Sequence, residues 1–193
     1  MKLLVAGDSF AAEWPGDEGW VKLLANDYDV TNVAQAGVSE YKILKQIQNA
    51  KLDEYDLVIV NHTSPSRVHT PKHPLPRTEL HKDCDLLYTD IEKRNSFFNE
   101  SLKSAQLYFK HHYDDQYFQT IYSLLRKEIN TLLLDKKYLS MSHIDVAKLF
   151  VHEDNHLDFS EFWKANKGTE NHYSKIGNEK VYKIVVDNIK KIC

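Results

Sequence analysis

The 193-residue chain has few cysteines, few glycines and no large excess of either charge. Its two cysteines, Cys84 and Cys193, cannot build a disulfide framework, and this favours a reducing, cytoplasmic location. Lysine and arginine total 25 against 28 acidic residues, and a net charge of −3 argues against nucleic acid as a partner. No apolar run approaches the roughly 18 residues of a membrane span, and the run at residues 3–6 is too short for a signal peptide. We therefore expect a globular protein with no nucleic-acid or membrane partner.

Proline is confined almost entirely to one stretch, because four of the five prolines lie between Pro65 and Pro76. This clustering predicts one long irregular loop. With 42% hydrophobic residues, the chain has the composition and length of a single domain over residues 1–193. We expect an insertion at roughly residues 66–135. Our hypothesis is that the segment from Thr63 to about Tyr113 forms a lid or wall that selects a polar substrate, since Arg67, Arg77 and several histidines occur near its start. A packing insertion or a dimer surface fits equally well, and the sequence predicts no oligomeric state.

Short apolar runs alternate with stretches of helical spacing. Runs at residues 3–6, 28–33, 56–60 and 138–141 predict buried strands, and a first helix is predicted at residues 19–26. Four further helices are predicted from apolar residues spaced three or four apart: Val38, Tyr41, Leu44, Ile47; Phe98, Leu102, Ala105, Phe109; Tyr117, Ile121, Leu124, Leu125; and Val181, Ile184, Val185, Ile189, Ile192. The alternation predicts an α/β fold whose parallel sheet is covered on both faces. Sites in such folds lie at the carboxyl ends of the strands.

Two candidate site residues follow the first two strands. Ser9 stands in Gly7-Asp8-Ser9, where a tight turn and a following helix N-terminus suit a nucleophile. A helix N-cap is the alternative role for Ser9. Gly37 ends the stretch at residues 32–37 (NVAQAG), and its backbone N–H could point towards the same spot. A turn glycine, followed by Ser39 as a cap, is the alternative there.

Two further blocks complete the set. Residues 61–64 (NHTS) are four polar residues at the end of the third strand, where a site would supply their partners. His172 stands in His172-x-Ser174-x-x-Gly177, immediately before the last helix, and could reach back to a serine at a strand end. Each block alone is compatible with a capped loop or an exposed histidine.

In this order the four blocks resemble the SGNH hydrolases, also called GDSL-type esterases. The resemblance covers the chain up to about residue 65 and again from about residue 169 onward. The resemblance implies a three-layer α/β/α fold with a flavodoxin-like, five-stranded parallel sheet. It implies Ser9 as the nucleophile and His172 as the general base. The backbone N–H groups of Ser9 and Gly37, with one side chain after the third strand, would bind the oxyanion. No cofactor is implied.

The chain departs from the family pattern at two places. The family's aspartate three residues before the histidine is replaced by Thr169, so Glu170 is a possible third triad member, and a Ser–His dyad is the alternative. In the third block, Asn61 supplies the expected oxyanion side chain but occupies the family's glycine position. Matching the strand ends instead selects Thr63, and both alternatives stay open.

The resemblance implies a serine esterase that cleaves a small acyl group, such as an O-acetyl group, from a carbohydrate or another polar small molecule. A catalytically impaired binding or scaffold protein is the main alternative, motivated by the two departures. An acyltransferase using the same Ser–His pair is another. Metal chemistry is not expected, because residues 150–161 fail the requirements of a calcium loop and prolines beside His69 and His73 prevent their alignment on a helix.

Overall fold

The computed structural model describes residues 1–14, 19–144, 155–168 and 172–193. Its five parallel strands form one sheet in the order β2-β1-β3-β4-β5, which confirms the α/β class and the flavodoxin-like topology. The strands are β1 (Lys2–Gly7), β2 (Asp29–Asn32), β3 (Leu57–His62), β4 (Tyr138–Ser142) and β5 (His156–Asp158). The four strands expected from apolar runs are all present.

The helices flank the sheet or lie in the long connection between β3 and β4. They are α1 (Trp20–Leu24), α2 (Glu40–Gln48), α3 (Tyr88–Ile91), α4 (Glu100–His111), α5 (Asp115–Leu132), α6 (Ser160–Ala165) and α7 (Lys175–Ile192). Short 3-10 helices occur at Leu52–Glu54 and Glu79–His81. None of the helices in the described ranges has the length and apolar character to cross a membrane.

Three layers result because the central strands are buried on both faces. Leu3 and Val5 of β1 pack into a core shared with α1 and α7, whereas Leu4 and Ala6 pack into a core shared with α2 and α5. All four side chains have zero exposure, and burying a leucine or valine side chain stabilises the fold by about 2 kcal/mol. The two cores fix the carboxyl ends of β1 and β3 side by side.

The β3–β4 connection has a small core of its own. Ile91, Leu102 and Ala105 are buried together there, as the predicted spacing of Leu102 and Ala105 requires. The prediction that Phe98 belongs to the same helix face is wrong. Phe98 precedes α4 and is 96% exposed, because Asn99 already caps the helix by accepting a hydrogen bond from the Leu102 N–H.

Helix α5 packs against α2 through a face that matches the predicted one only in part, since Leu125 packs against the shared core and Ile121 is half-buried. Tyr117 and Leu124 were expected to face inward, but each is 57% exposed. Tyr122, Arg126 and Ile129 are the buried residues of the helix. An apolar pattern misses this face because one of its central residues is a buried arginine, whose Nη2 donates to Ser140 Oγ at 3.4 Å.

Candidate active site

A cleft of about 540 Å³ opens at the carboxyl edge of the sheet. Its walls include Ser9 after β1, Gly37 after β2 and His172 before α7, three residues predicted from separate stretches of the sequence. The volume is in the range of sites for small molecules. The fold therefore brings the predicted nucleophile, the predicted base and one predicted oxyanion donor to a single cavity.

Ser9 lies at the tip of a tight turn directly after β1. The Asp8 carbonyl accepts hydrogen bonds from the N–H groups of Ala11 and Ala12, both at 3.1 Å, and Asp8 Oδ1 accepts from the Phe10 N–H at 3.0 Å. These bonds curl the chain around Ser9. The Ser9 N–H donates no hydrogen bond within the described part of the chain, so it is available to a ligand in the cleft.

Gly7 precedes this turn because no side chain fits at its position. A Cβ there would lie 2.6 Å from the Asn61 Cβ and 2.7 Å from the Asn61 carbonyl oxygen. β2 has ended at this level, and the Gly7 backbone is held both by the Gln35 N–H, which donates to its carbonyl at 3.1 Å, and by the Gln46 side chain. Its Oε1 accepts from the Gly7 N–H at 2.8 Å, and its Nε2 donates to the Gly7 carbonyl at 3.2 Å. The end of β1 is therefore rigidly held.

Asp8 is a buried carboxylate beneath Ser9. Asn61 Nδ2 donates to its Oδ1 at 2.6 Å. Burial raises the pKa of Asp8 to about 6, while the Phe10 N–H and the charge of Arg67 oppose the rise. Because Asn61 is fully buried and its amide is bound to Asp8, its side chain supports the nucleophile turn from below. Thr63, the alternative oxyanion donor, is fully buried as well. Which side chain completes the oxyanion hole stays a prediction.

Gly37 adopts φ +76°, a backbone conformation that favours glycine. A Cβ at this position would also lie 2.8 Å from the Cys84 Cβ. The Gly37 carbonyl accepts from the Asp85 N–H at 2.9 Å and from Arg67 Nη1 at 3.2 Å, which joins the β2–α2 turn to the β3–β4 connection. Among the described residues, the Gly37 N–H donates to none.

Asp85 anchors the same connection against the start of α2. This buried carboxylate accepts from the N–H groups of Ser39 at 2.7 Å and Thr70 at 2.8 Å, and its Oδ1 lies 2.9 Å from Lys42 Nζ. Ser39 is the N-cap residue of α2, as one interpretation of the sequence expected, but its hydroxyl makes no capping bond. The wall of the cleft is thus attached to the fold by a charged, fully bonded group.

His172 lies against the nucleophile turn. Its ring centroid is 4.3 Å from that of Trp14 and 5.2 Å from that of Phe10. Phe10 follows Ser9 in the chain, and the indole N–H of Trp14 donates to the Ser9 carbonyl at 2.9 Å. Two aromatic rings therefore connect His172 to the backbone of Ser9. Glu170, the predicted third triad member, and Thr169 lie outside the described residues.

The position of His172 follows from the start of α7. Ser174 caps this helix by accepting from the Gly177 N–H at 3.2 Å, and the Ser174 N–H donates to the Asn166 carbonyl at 3.0 Å. Gly177 packs closely there, since a Cβ on it would lie 2.9 Å from the Asn166 carbonyl oxygen. The His172-x-Ser174-x-x-Gly177 spacing thus serves a structural purpose in addition to any catalytic one.

One buried histidine at this edge was missed by the sequence reasoning. His143 directly follows β4, stacks on Phe10 with centroids 4.5 Å apart, and has its Nδ1 2.5 Å from the Tyr173 hydroxyl oxygen. Burial, helped by the charges of the neighbouring His156 and His172, lowers the pKa of His143 to about 3. It is a neutral packing residue behind the cleft. Its place directly after a strand was the signal that could have found it.

Trp163 and Arg94 also line the cleft, and no sequence pattern singled them out. Among the described residues, no group of three or more histidine, cysteine, aspartate or glutamate side chains is placed to hold a metal ion. The site therefore presents a hydroxyl, an imidazole, free backbone amides and guanidinium groups.

No protein-family model matches this chain, and no curated protein matches it at a significant level.

Proposed function

We propose that the protein is a serine esterase of the SGNH type that hydrolyses a small acyl ester, such as an O-acetyl group on a carbohydrate or another polar alcohol. The observation that carries the proposal is the convergence of Ser9, Gly37 and His172 on one cleft at the carboxyl edge of the sheet. Ser9 and Gly37 follow two adjacent strands whose carboxyl ends meet at this edge, whereas His172 comes from the other end of the chain and reaches the same cleft from the start of α7.

In the proposed reaction Ser9 Oγ attacks the carbonyl carbon of the ester while His172 takes its proton. The tetrahedral intermediate collapses, the C–O bond to the alcohol breaks, and the alcohol leaves with the proton from His172. Water then attacks the carbonyl carbon of acyl-Ser9 while His172 takes a proton from it. The bond from that carbon to Ser9 Oγ breaks, and His172 returns the proton to Ser9 Oγ as the carboxylic acid departs. The serine, the histidine and water account for every bond made and broken, so the proposed reaction calls for no cofactor.

The oxyanion is assigned to backbone N–H groups. Those of Ser9 and Gly37 donate no hydrogen bond to the described residues, and both residues line the cleft. Such donors are each worth roughly 3 kcal/mol in the transition state, because they are already oriented before the charge develops. Arg67, bound to the carbonyl of Gly37, adds a positive charge beside this position.

The chain lacks the aspartate that orients the catalytic histidine in the family pattern, because Thr169 occupies that position. We propose Glu170 as the carboxylate that orients the ring, with a Ser9–His172 dyad as the alternative. Trp14 and Phe10 already restrict the ring through aromatic contacts.

The test is hydrolysis of 4-nitrophenyl acetate and of acetylated sugars, with release of free acetate measured directly. Ser9→Ala and His172→Gln should each lower kcat by about a thousandfold or more, and the double variant should be little worse than either, since the two residues act as a unit. Ser104→Ala, at an exposed serine on α4, is the matched control and should retain full activity. Activity that persists in Ser9→Ala would contradict the proposal.

A further inference from the structure

Three arginines line the cleft of a chain whose net charge is −3. Arg67 and Arg77 belong to the loop after β3, and Arg94 follows α3. The carboxylates in the lining are Asp8, which lies almost fully buried beneath Ser9, and Asp90. The lining of the cleft therefore carries more positive than negative groups, although the protein as a whole has a net negative charge.

Arg67 is the cation closest to the proposed oxyanion site. The one hydrogen bond that its guanidinium makes to the described residues runs from Nη1 to the Gly37 carbonyl at 3.2 Å. None of the described carboxylates forms an ion pair with it, and its Nε is buried with no hydrogen-bond partner. By contrast Lys42, on the other side of the same loop, pairs with buried Asp85 at 2.9 Å.

A half-buried guanidinium that makes one hydrogen bond and no ion pair has lost part of its hydration and gained only one carbonyl oxygen in exchange. An anion in the cleft would supply the ion pair. Arginine is also the side chain best shaped for this purpose, because its planar fork of N–H groups matches a carboxylate or a phosphate.

Arg77 and Arg94 extend the positive surface along the wall. Arg77 Nη2 lies 3.5 Å from Asp90 Oδ2, a long ion pair, and Arg94 Nε donates to the backbone carbonyl of Asp90 at 3.4 Å. Arg94 forms no ion pair with any carboxylate of the described ranges. Burial raises the pKa of the Cys84 thiol, while the charges of Arg77 and Arg67 oppose that rise. The charges of Arg77 and Arg67 therefore both reach Cys84 in the wall of the cleft.

We propose that this cleft takes an acyl ester that also carries an anionic group, either a carboxylate or a phosphate, and that Arg67 binds this group with Arg94 beside it. The proposal rests on the proposed function and names its substrate class. Arg67 Nη1 lies 3.8 Å from where a Cβ on Gly37 would be, so the anion sits close to the reacting carbonyl. The acid and the ester therefore belong to one small molecule, such as an acetylated acidic sugar.

Matched acetate esters test the charge preference. The probes are 3-acetoxybenzoate, 3-acetoxyphenyl phosphate and neutral 3-acetoxybenzamide, compared by kcat/KM. We expect at least one anionic probe to be preferred over the neutral one by about tenfold or more, and the better of the two identifies the anion. The preference should fall as sodium chloride is added, because exposed charges are screened.

Substitutions identify the residues responsible for the preference for anionic probes, measured as the ratio of kcat/KM for the anionic probe to that for the neutral one. Arg67→Gln should remove most of this preference, and Arg94→Gln should weaken it. Arg67→Lys should retain part of it. Lys93→Gln removes the same charge one residue from Arg94, outside the cleft, and should leave it unchanged. Thermal unfolding checks that each variant folds. Equal kcat/KM for charged and neutral probes, or an Arg67→Gln variant that slows all probes equally, would overturn the proposal.

A binding measurement separates the substrate class from the catalytic proposal. Titration of the Ser9→Ala protein with 3-acetamidobenzoate and 3-acetamidobenzamide, followed by NMR, needs no turnover. Tighter binding of the acid that disappears in Ser9→Ala/Arg67→Gln supports the anion site even if no ester is hydrolysed, in which case the proposed function alone fails. Hydrolysis of esters combined with no preference for the acid in either assay overturns this inference alone.

Discussion

Replacing Asp8 with asparagine should change how the stability of the protein depends on pH. Burial raises the pKa of this carboxyl to about 6, against an ordinary value of 3.8. The folded protein therefore holds the Asp8 proton more tightly than the unfolded chain does. The ionised form destabilises the fold fully above pH 6, and this cost disappears as the pH falls towards 3.8.

The magnitude follows from the two pKa values. Their difference corresponds to about 3 kcal/mol of destabilisation above neutral pH. At pH 4.5 about 1 kcal/mol of it remains, because the unfolded chain is then mostly ionised and the folded protein is not. The amide that the substitution introduces does not titrate. The free energy of unfolding of Asp8→Asn minus that of wild type should therefore be larger at pH 7.5 than at pH 4.5 by about 2 kcal/mol, which means that the variant gains stability relative to wild type as the pH rises.

Urea unfolding at pH 7.5, 6.0 and 4.5 measures this difference. Comparing variant with wild type at each pH removes the contribution of His143, which titrates in the opposite direction in both proteins. Asp29→Asn, at an exposed position on β2, is the control and should change the difference by less than about 0.5 kcal/mol. A difference for Asp8→Asn that is constant with pH, or that grows on acidification, would refute the reasoning.

Two further predictions concern stability. Gly37→Ala should destabilise the protein by about 2 kcal/mol, because of its φ of +76° and the contact with Cys84. Gly19→Ala, where no atom of the described residues lies within 4 Å of the new Cβ, should cost at most about 1 kcal/mol in the same urea assay, the usual cost of alanine at a helix N-cap. His143 has a pKa of about 3 instead of 6.5, so the unfolded chain gains a proton first and stability is lost as the pH falls below 6.5. His143→Phe keeps the ring stack but loses the hydrogen bond to Tyr173. Between pH 7.5 and 4.5 its free energy of unfolding should fall by about 3 kcal/mol less than that of wild type. A variant with the same pH dependence as wild type would contradict this.

The sheet was predictable where burial leaves a strong pattern. β1 and β3 are apolar on both faces and stood out as continuous runs. β5 has only three residues, including a histidine and an aspartate, so no apolar run marks it, and the five-stranded sheet was expected only from the family resemblance. The face of α5 was misjudged because buried Arg126 interrupts its apolar stripe.

The candidate site was predictable in outline because the carboxyl ends of parallel strands must meet at one edge. That rule selected Ser9 and Gly37, and both line the cleft. It could not choose between Asn61 and Thr63, because the choice depends on how each side chain is paired after folding. Asn61 of β3 is bound to Asp8 in the turn after β1, a contact between distant parts of the chain that no local pattern encodes.

The cations of the cleft were predictable only in part. Arg67 and Arg77 were noted because they follow a strand end in a proline-rich loop. Arg94 follows a four-residue helix within the long connection and reaches the cleft only because the small core around Ile91 places it there. The pairing state of Arg67, on which the substrate proposal depends, is a property of tertiary contacts alone.

The most direct test of the central claim is covalent labelling with a small fluorophosphonate, followed by intact-mass analysis. We predict a single adduct on the folded wild-type protein, none on Ser9→Ala, an adduct on the Ser104→Ala control and none on protein unfolded in urea. This pattern would mean that the folded site activates the Ser9 hydroxyl as a nucleophile. A wild-type protein that stays unlabelled, or a Ser9→Ala variant that still forms the adduct, would contradict it.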